Sequence, residues 1–269
     1  MDVAGKTVFI TGGAGGIGGG IAEAFVERGA RVVLADIDHA LAAAAASPFG
    51  KAALAVELDV ASPQSWKSAR AAAETAFGAV DILCNNAGVA TPLQPLEEVT
   101  PDDFAGVFSI NVAGVHNGVV AFAAGMKARR SGHIVNTSSV NGLLPHGRFG
   151  VYTASKFAIL GLSDALRQEL EPFGVGVSTL FPGLTRSCMS LRSDSPAAAD
   201  KARAAALEAA MMEPVWLGRA VVRAVERNDA YIVTHPAYRA AVEARAAAIL
   251  AAFGEPAQPG YGVASAASG

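Results

Sequence analysis

Short β-branched runs alternate with long Ala- and Leu-rich stretches along almost the whole chain, and this alternation restricts the fold more than any other feature. Lys6–Thr11, Arg31–Asp36, Ala52–Asp59, Val80–Asn85, His133–Ser138, Val175–Phe181 and Ala230–Thr234 read as strands. Gly16–Gly29, Val151–Pro172, Ala198–Met212, Pro214–Asn228 and Ala237–Phe253 read as helices, with a short Ala-rich helix after Asp36. Two further helices carry start signals. Ser62-Pro63 pairs an N-cap residue with proline at the first helical position, and that helix runs to about Phe77. Thr100-Pro101-Asp102-Asp103 sets carboxylates against the positive end of a helix that continues to about Arg130. Strands alternating with helices imply an α/β fold, a doubly wound parallel sheet of about seven strands with helices on both faces. No linker-like shift or internal repeat divides residues 1–253, which read as a single catalytic domain. Residues 254–269, rich in Gly, Pro, Ala and Ser, read as a tail.

Composition removes several function classes. Of 269 residues, 52% are hydrophobic and 17% charged, below the roughly 25% charge of ordinary soluble proteins, so extended disorder is excluded. Lys+Arg total 21 against 24 Asp+Glu, with no basic stripe, which argues against a nucleic-acid partner. Cys84 and Cys188 make neither a disulfide framework nor a metal-ligand set, so no metal site is expected. The most apolar run, Val112–Met126, is interrupted by His116, Asn117 and three glycines, so no membrane span is expected. The N-terminus lacks a secretory pattern, and a cytoplasmic location follows as the simplest reading.

The turn Thr11-Gly12-Gly13-Ala14-Gly15-Gly16-Ile17-Gly18 joins the first strand to the first helix. Glycines there permit a tight turn and let phosphate oxygens approach the backbone, while the helix N-terminus offers N–H groups to a pyrophosphate. The spacing fits GxGxxG, TGxxxGxG and TGxxGxxG alike, so it indicates a dinucleotide without choosing among patterns. Asp36 closes the second strand, where a carboxylate accepts hydrogen bonds from both ribose hydroxyls of adenosine and repels a 2′-phosphate. With no basic residue in the turn to offset that repulsion, NAD is the expected cofactor. Asp59 and Val60 end the third strand, where a carboxylate and a backbone amide can bracket an adenine ring.

Tyr152 and Lys156 lie one turn apart on the same face of a helix. An ammonium beside a phenol favours phenolate, and lowering its pKa by about 3 units takes roughly 4 kcal/mol of differential stabilisation. Such a tyrosine exchanges protons with an alcohol or carbonyl near neutral pH. Ser139 follows the strand ending at Ser138, and strand alternation turns Ser138 to the other face. Asn111 interrupts good helix formers, pointing to a local kink or a bound water. Asn85-Asn86-Ala87-Gly88 follows the fourth strand, where amides can tie neighbouring strands together.

In order along the chain, Thr11–Gly18, Asp59, Asn85–Gly88, Asn111, Ser139, Tyr152-x-x-x-Lys156 and Pro182-Gly183 make the sequence resemble the short-chain dehydrogenase/reductase family, in its compact one-domain Rossmann-type branch. The likeness spans about residues 5–235 and selects the TGxxxGxG reading of the turn. It implies that Tyr152 is the acid/base, and that Lys156 lowers its pKa and binds the nicotinamide ribose. It implies that Ser139 orients the substrate oxygen and that Asn111 holds a relay water. It assigns cofactor contact to Gly12, Gly15, Gly16, Ile17, Gly18, Asn86, Ala87 and Gly88, with Pro182, Gly183 and Thr185 bordering the nicotinamide. Ser187 stands where many members have threonine. The resemblance also implies a homotetramer or homodimer, joined through the helices containing Asn111–Met126 and Val151–Pro172.

The expected reaction is reversible hydride transfer between a secondary alcohol and its ketone. The segment at about 185–213 is the family's usual substrate lid and carries Cys188, Met189, Leu191, Met211 and Met212. Leu143, Leu144, His146 and Phe149 are candidates for the opposite wall. These side chains favour a bulky apolar or aromatic small-molecule substrate. Arg148, Arg186 and Arg192 keep a 3-oxoacyl thioester reductase or a sugar-alcohol dehydrogenase as alternatives, and a dinucleotide-sensing scaffold is the non-enzymatic one. Of the five histidines, only His146 is a candidate for substrate contact, and Cys84 reads as core.

Overall fold

A computed structural model describes residues 1–186 and 209–254. They fall into two units, Met1–His235 and the part beginning at Pro236. Within the first, seven parallel strands form one sheet: β1 Thr7–Thr11, β2 Arg31–Asp36, β3 Ala53–Glu57, β4 Ile82–Asn85, β5 Gly132–Thr137, β6 Val175–Phe181 and β7 Tyr231–Val233. Their order is β3-β2-β1-β4-β5-β6-β7, so connections run outward in both directions from β1. The crevice at the carboxyl ends of β1 and β4, where the winding reverses, is where such sheets bind ligands.

The helices of this unit are α1 Gly16–Glu27, α2 His39–Ala46, α3 Pro63–Phe77, α4 Pro101–Phe108, α5 Gly114–Arg129, α6 Gly150–Leu170 and α7 Pro214–Arg227. Strand alternation sends neighbouring residues of β1 to opposite faces. Ile10 joins the core shared with Phe25, Leu34, Leu217 and Val221, on the side of α1 and α7. Phe9 joins the other core, where its ring centroid lies 5.7 Å from that of Trp66 and 5.2 Å from that of Phe122. The second unit contains a helix, α8 Arg239–Leu250, preceded by a 3-10 turn at Pro236–Tyr238.

Local chemistry sets the element boundaries. Ser62 caps α3, its hydroxyl accepting from the Ser65 N–H at 3.2 Å, and Thr100 caps α4 through the Asp103 N–H at 3.1 Å. β3 stops at Glu57, short of the expected Asp59, because the Asp59 carboxylate takes the Ala61 N–H at 2.9 Å and turns the chain. The expected helix from Thr100 to Arg130 runs over Pro101–Arg129 and carries a π-turn in its middle at Ser109–Ala113, centred on Asn111. The expected helix at Ala198–Met212 falls mostly outside the described residues, and its last residue is not helical. Met212 instead forms a parallel bridge with Thr185.

Candidate active site

The glycine-rich turn comes first in the chain and brackets the crevice. Gly12 takes a φ of 64°, a left-handed conformation that glycine adopts without penalty. A side chain at Gly18 would collide with the Gly12 carbonyl at 2.1 Å, so the turn folds directly onto the first turn of α1. Gly15 is the N-cap of α1 and supplies no side-chain cap. The N–H groups of Gly16, Ile17 and Gly18 therefore have no partner inside the helix. A Cβ at Gly15 would touch only the Gly12 carbonyl, at 3.4 Å, so its missing side chain keeps space open above those donors. This cradle fits a pyrophosphate.

Side chains lock the neighbouring strand ends. The Thr11 hydroxyl accepts from the backbone N–H groups of Asn86 and Ala87, both at 2.9 Å. The Asn86 amide donates to the Thr11 carbonyl at 3.0 Å. Asn85, on the buried side, donates to the Asn136 amide oxygen at 2.9 Å, tying β4 to β5. Asp36 is half-buried beside the turn and accepts from the Ala14 N–H at 3.1 Å. Asp59 is exposed. Val60 is buried, and its carbonyl receives the Trp66 indole and the Asn117 amide, each at 3.0 Å.

Ser139, Tyr152 and Lys156 converge at the exit of β5. Ser139 begins a 3-10 turn, accepting from the Asn141 N–H at 3.1 Å, and hydrogen-bonds Tyr152 in the first turn of α6. Lys156 lies one turn further along, only 3% exposed, and its ammonium donates to the Thr137 carbonyl at 2.9 Å. Its Nζ is 5.5 Å from the centre of the Tyr152 ring. Ser138 faces away, donating to the Lys156 carbonyl at 2.8 Å. A Cβ at Gly88 would come within 3.2 Å of Asn111 Oδ1 and 3.4 Å of Lys156 Nζ, which places all three residues around one small space.

Asn111 is buried, and its amide clasps the segment after β4. Oδ1 accepts from the Val89 N–H at 2.8 Å, and Nδ2 donates to the Val89 carbonyl at 2.9 Å and to Ser155 Oγ at 3.0 Å. Both amide hydrogens are thereby used. A relay water at this position would be held by oxygens, either Oδ1 or a main-chain carbonyl that the π-turn takes out of α-helical pairing.

The electrostatics differ from the sequence expectation. Burial pushes the Tyr152 phenol above its ordinary range, and the Ser139 hydrogen bond offsets this only partly. Burial pushes Lys156 down to about 8. Burial outweighs the other influences on the phenol, while the amine, lowered to about 8, is still mostly protonated at neutral pH. Each group by itself is driven toward its neutral form.

Phe149 stacks on Tyr152, centroids 4.6 Å apart at 26°, and His146 meets Phe149 edge-on at 6.4 Å. Leu143 and Leu144 are half-buried nearby in sequence, whereas His146 is exposed. Met211 is buried and Met212 packs on the core, so both serve the fold. Ser187, Cys188, Met189, Leu191 and Arg192 lie outside the described residues. Arg186 pairs with Glu213 at 3.0 Å. Cys84 is fully buried, and burial raises its thiol pKa, which makes it inert core. Among the described residues no His/Cys/Asp/Glu cluster could hold a metal ion.

Sequence reasoning overlooked three contributions. Thr11 as a strand lock could have been found from its place before Gly12 at a strand end. The stacking of Phe149 on Tyr152 could have been found from their separation, three residues at a helix start. His235, whose imidazole reaches Gly183 from far along the chain, carried no sequence signal.

The profile of the short chain dehydrogenase family matches residues 6–197. A C alpha-dehydrogenase of Sphingobium sp. is 33% identical over 257 residues, covering 90% of this chain and 84% of that one. A 3-alpha-(or 20-beta)-hydroxysteroid dehydrogenase of Mycobacterium tuberculosis is 37% identical over 186 residues, covering 69% of this chain and 71% of its own. Among solved structures, a short chain dehydrogenase/reductase of Burkholderia phymatum in complex with NAD superposes with a TM-score of 0.85. It is 32% identical and covers 96% of this chain and 99% of its own.

Proposed function

The chain belongs to the short-chain dehydrogenase family and is an oxidoreductase of CH–OH groups, and from that premise we propose that it oxidises a bulky apolar or aromatic secondary alcohol with NAD, reversibly. The observation that carries the reading is the buried convergence of Ser139, Tyr152 and Lys156 beside Gly88, at the end of the sheet where the Gly12–Gly18 cradle opens.

Bound nicotinamide supplies a hydride acceptor, chemistry that belongs to the cofactor. The chain's own residues place the substrate and handle its proton. Ser139 shares a hydrogen bond with Tyr152, so both hydroxyls can address one substrate oxygen. In oxidation the Tyr152 phenolate oxygen takes the proton of the alcohol, and in reduction the phenol returns it. Lys156, held on the Thr137 carbonyl, is the nearby cation that favours the phenolate while it stays protonated. The Gly16, Ile17 and Gly18 amides would hold the pyrophosphate, and Asp36 the adenosine ribose. A carboxylate at the end of β2 supports NAD over NADP, because a 2′-phosphate would meet a negative charge.

The substrate class is supported by the walls. Phe149 and His146 extend the aromatic surface of Tyr152, and Leu143 and Leu144 precede them. The hydroxysteroid dehydrogenase relative has an apolar substrate class in its name, whereas sorbitol and galactitol dehydrogenase relatives keep the polyol alternative in the test below. Arg186, already paired with Glu213, offers less to an acidic thioester substrate.

Self-association through α4–α5 and α6 belongs to the same proposal. The continuous helical stretch Pro101–Arg129 is long and apolar enough to cross a membrane, yet it packs on the sheet, and its most apolar 18 residues are 39% buried. Phe104, Val120 and Leu162 remain exposed on these helices. Helices apolar on more than one face need a second cover, and another copy of the chain supplies it.

A panel of aryl, steroidal and polyol secondary alcohols, read by NADH absorbance, tests the reading. Aryl or steroidal alcohols should turn over fastest. Tyr152→Phe should lower kcat by about 100-fold or more while NADH still binds. Undiminished turnover by that variant would overturn the assignment, and turnover of polyols alone would overturn the substrate class.

A further inference from the structure

The chain leaving β6 runs Pro182-Gly183-Leu184-Thr185, and three ties hold it. The Pro182 carbonyl accepts from the Val140 N–H at 2.9 Å, next to Ser139. The Thr185 hydroxyl donates to the Gly183 carbonyl at 3.2 Å. The third tie is the His235 ring, at the end of β7. Gly183 N–H donates to His235 Nδ1 at 3.0 Å, and His235 Nε2 lies 3.2 Å from the Leu184 carbonyl. Because Nδ1 receives a proton donor, the ring proton sits on Nε2 and donates to Leu184. One neutral imidazole thus satisfies an N–H and a C=O of consecutive residues. Thr234 Oγ1, 2.8 Å from the same Nδ1, steadies the ring.

Packing enforces the same geometry. A Cβ at Gly183 would lie 2.5 Å from His235 Cγ, so the backbone presses directly against the imidazole. With histidine at 235, residue 183 must therefore be glycine. The tie joins residues 52 apart in sequence and fixes the direction in which Leu184 and Thr185 depart from the sheet.

We infer that His235 is a positioning residue for nicotinamide binding: it clamps the Gly183–Leu184 backbone so that the segment after β6 presents a fixed wall to the nicotinamide half of the dinucleotide. This rests on the reading above that Pro182, Gly183 and Thr185 border that half. The clamp needs an acceptor for Gly183 N–H and a donor for the Leu184 carbonyl. Leucine supplies neither, and asparagine keeps an acceptor near the position of Nδ1.

The test measures binding of NADH and of ADP-ribose, which lacks the nicotinamide, to full-length wild type, His235→Leu and His235→Asn by calorimetry. The clamp predicts that His235→Leu weakens NADH binding ten-fold or more and leaves ADP-ribose affinity within two-fold. His235→Asn should recover NADH affinity to within about three-fold of wild type. Unchanged NADH affinity in His235→Leu would overturn the inference. Equal weakening of both ligands, in the asparagine variant as well, would also overturn it, because the residue would then be supporting the fold at large. Wild type that binds ADP-ribose but gains nothing from the nicotinamide would sink the bordering role of the segment and the clamp with it. Wild type that binds neither ligand would remove the dinucleotide reading itself.

Discussion

His133 on β5 makes the stability of this protein depend on acid in a way that can be worked out in advance. Its ring is 2% exposed. Nε2 lies 2.8 Å from Ser178 Oγ, and Ser178 donates onward to the Asp229 carbonyl, so Nε2 carries the proton and donates to Ser178. Nδ1 faces the backbone of Gly176 so closely that a Cβ there would approach it to 2.3 Å. A proton added at Nδ1 would put a second positive charge in this buried pocket. Burial, reinforced by the nearby positive charge of Arg167, pushes the His133 pKa down from 6.5 to about 3. The unfolded chain binds this proton below pH 6.5, whereas the folded chain refuses it until about pH 3. Stability is therefore retained above pH 6.5 and drains away as pH falls toward 3. The full difference amounts to roughly 5 kcal/mol, of which about 2 kcal/mol is lost between pH 7 and pH 5. Urea unfolding of wild type and His133→Gln at both pH values isolates the effect, since the other ionisable groups are common to both proteins. The variant should be less stable at pH 7 yet lose about 2 kcal/mol less on going to pH 5. Equal pH slopes would refute the buried-neutral argument, as would an imidazole that titrates near 6 in the folded state by NMR.

Three further predictions concern the site. Lys156 is ionised against the pull of burial, so Lys156→Met should stabilise the protein at pH 7 by about 1–3 kcal/mol while abolishing turnover. The folded amine titrates near 8, below its unfolded value of 10.5, so the penalty is full below pH 8 and fades as pH rises toward 10.5. Urea midpoints at pH 7 and pH 10 check this, with the gain at pH 10 expected to be the smaller. Asp36→Asn should narrow the ratio of kcat/KM for NAD over NADP by about ten-fold, since roughly 1.4 kcal/mol of repulsion is removed from the 2′-phosphate. Phe149→Ala should remove a stack of about 0.5–1.5 kcal/mol and admit water to Tyr152. The pH at which alcohol oxidation reaches half its maximum rate should then fall, whereas Phe149→Tyr should preserve it.

How much of this was legible in the sequence depended on the range of the interaction. Strand order in the chain, the cap at Ser62, the helix start at Thr100 and the Gly12–Gly18 turn are decided by neighbours within a few residues, and the structure reproduces them. The disturbance at Asn111 was legible because asparagine competes for backbone groups, although its form, a π-turn clasping Val89, depends on a partner 22 residues away. Strand ends were read two residues too long at Asp59 and at Val80, because side-chain turns and the ladder of the neighbouring strand set where pairing stops. The pKa order of Tyr152 and Lys156 was not legible. Spacing shows that two groups meet, but the sign of their shifts depends on burial, which only the folded chain supplies.

That reversal bears on how the site works. Two groups whose useful states are phenolate and ammonium sit where burial opposes both charges. Burial alone would leave a neutral phenol and, above pH 8, a neutral amine. The protein spends part of its stability to hold Lys156 charged, offset by the Thr137 carbonyl at 2.9 Å. An exposed lysine would avoid that cost, but water would screen it from the phenol. In a dry site the same charge acts on Tyr152 with far less screening, so any favourable change nearby moves the phenol further than it would at the surface. Ser139 provides the part of that help already in place, by hydrogen-bonding the phenol oxygen. Phe149 works in the opposite sense, keeping the ring dry and raising the pKa that Lys156 and Ser139 must lower. The arrangement is therefore poised: the hydroxyl and the ammonium pull the proton off, the aromatic stack holds it on, and the balance lies with groups within one helical turn of Tyr152.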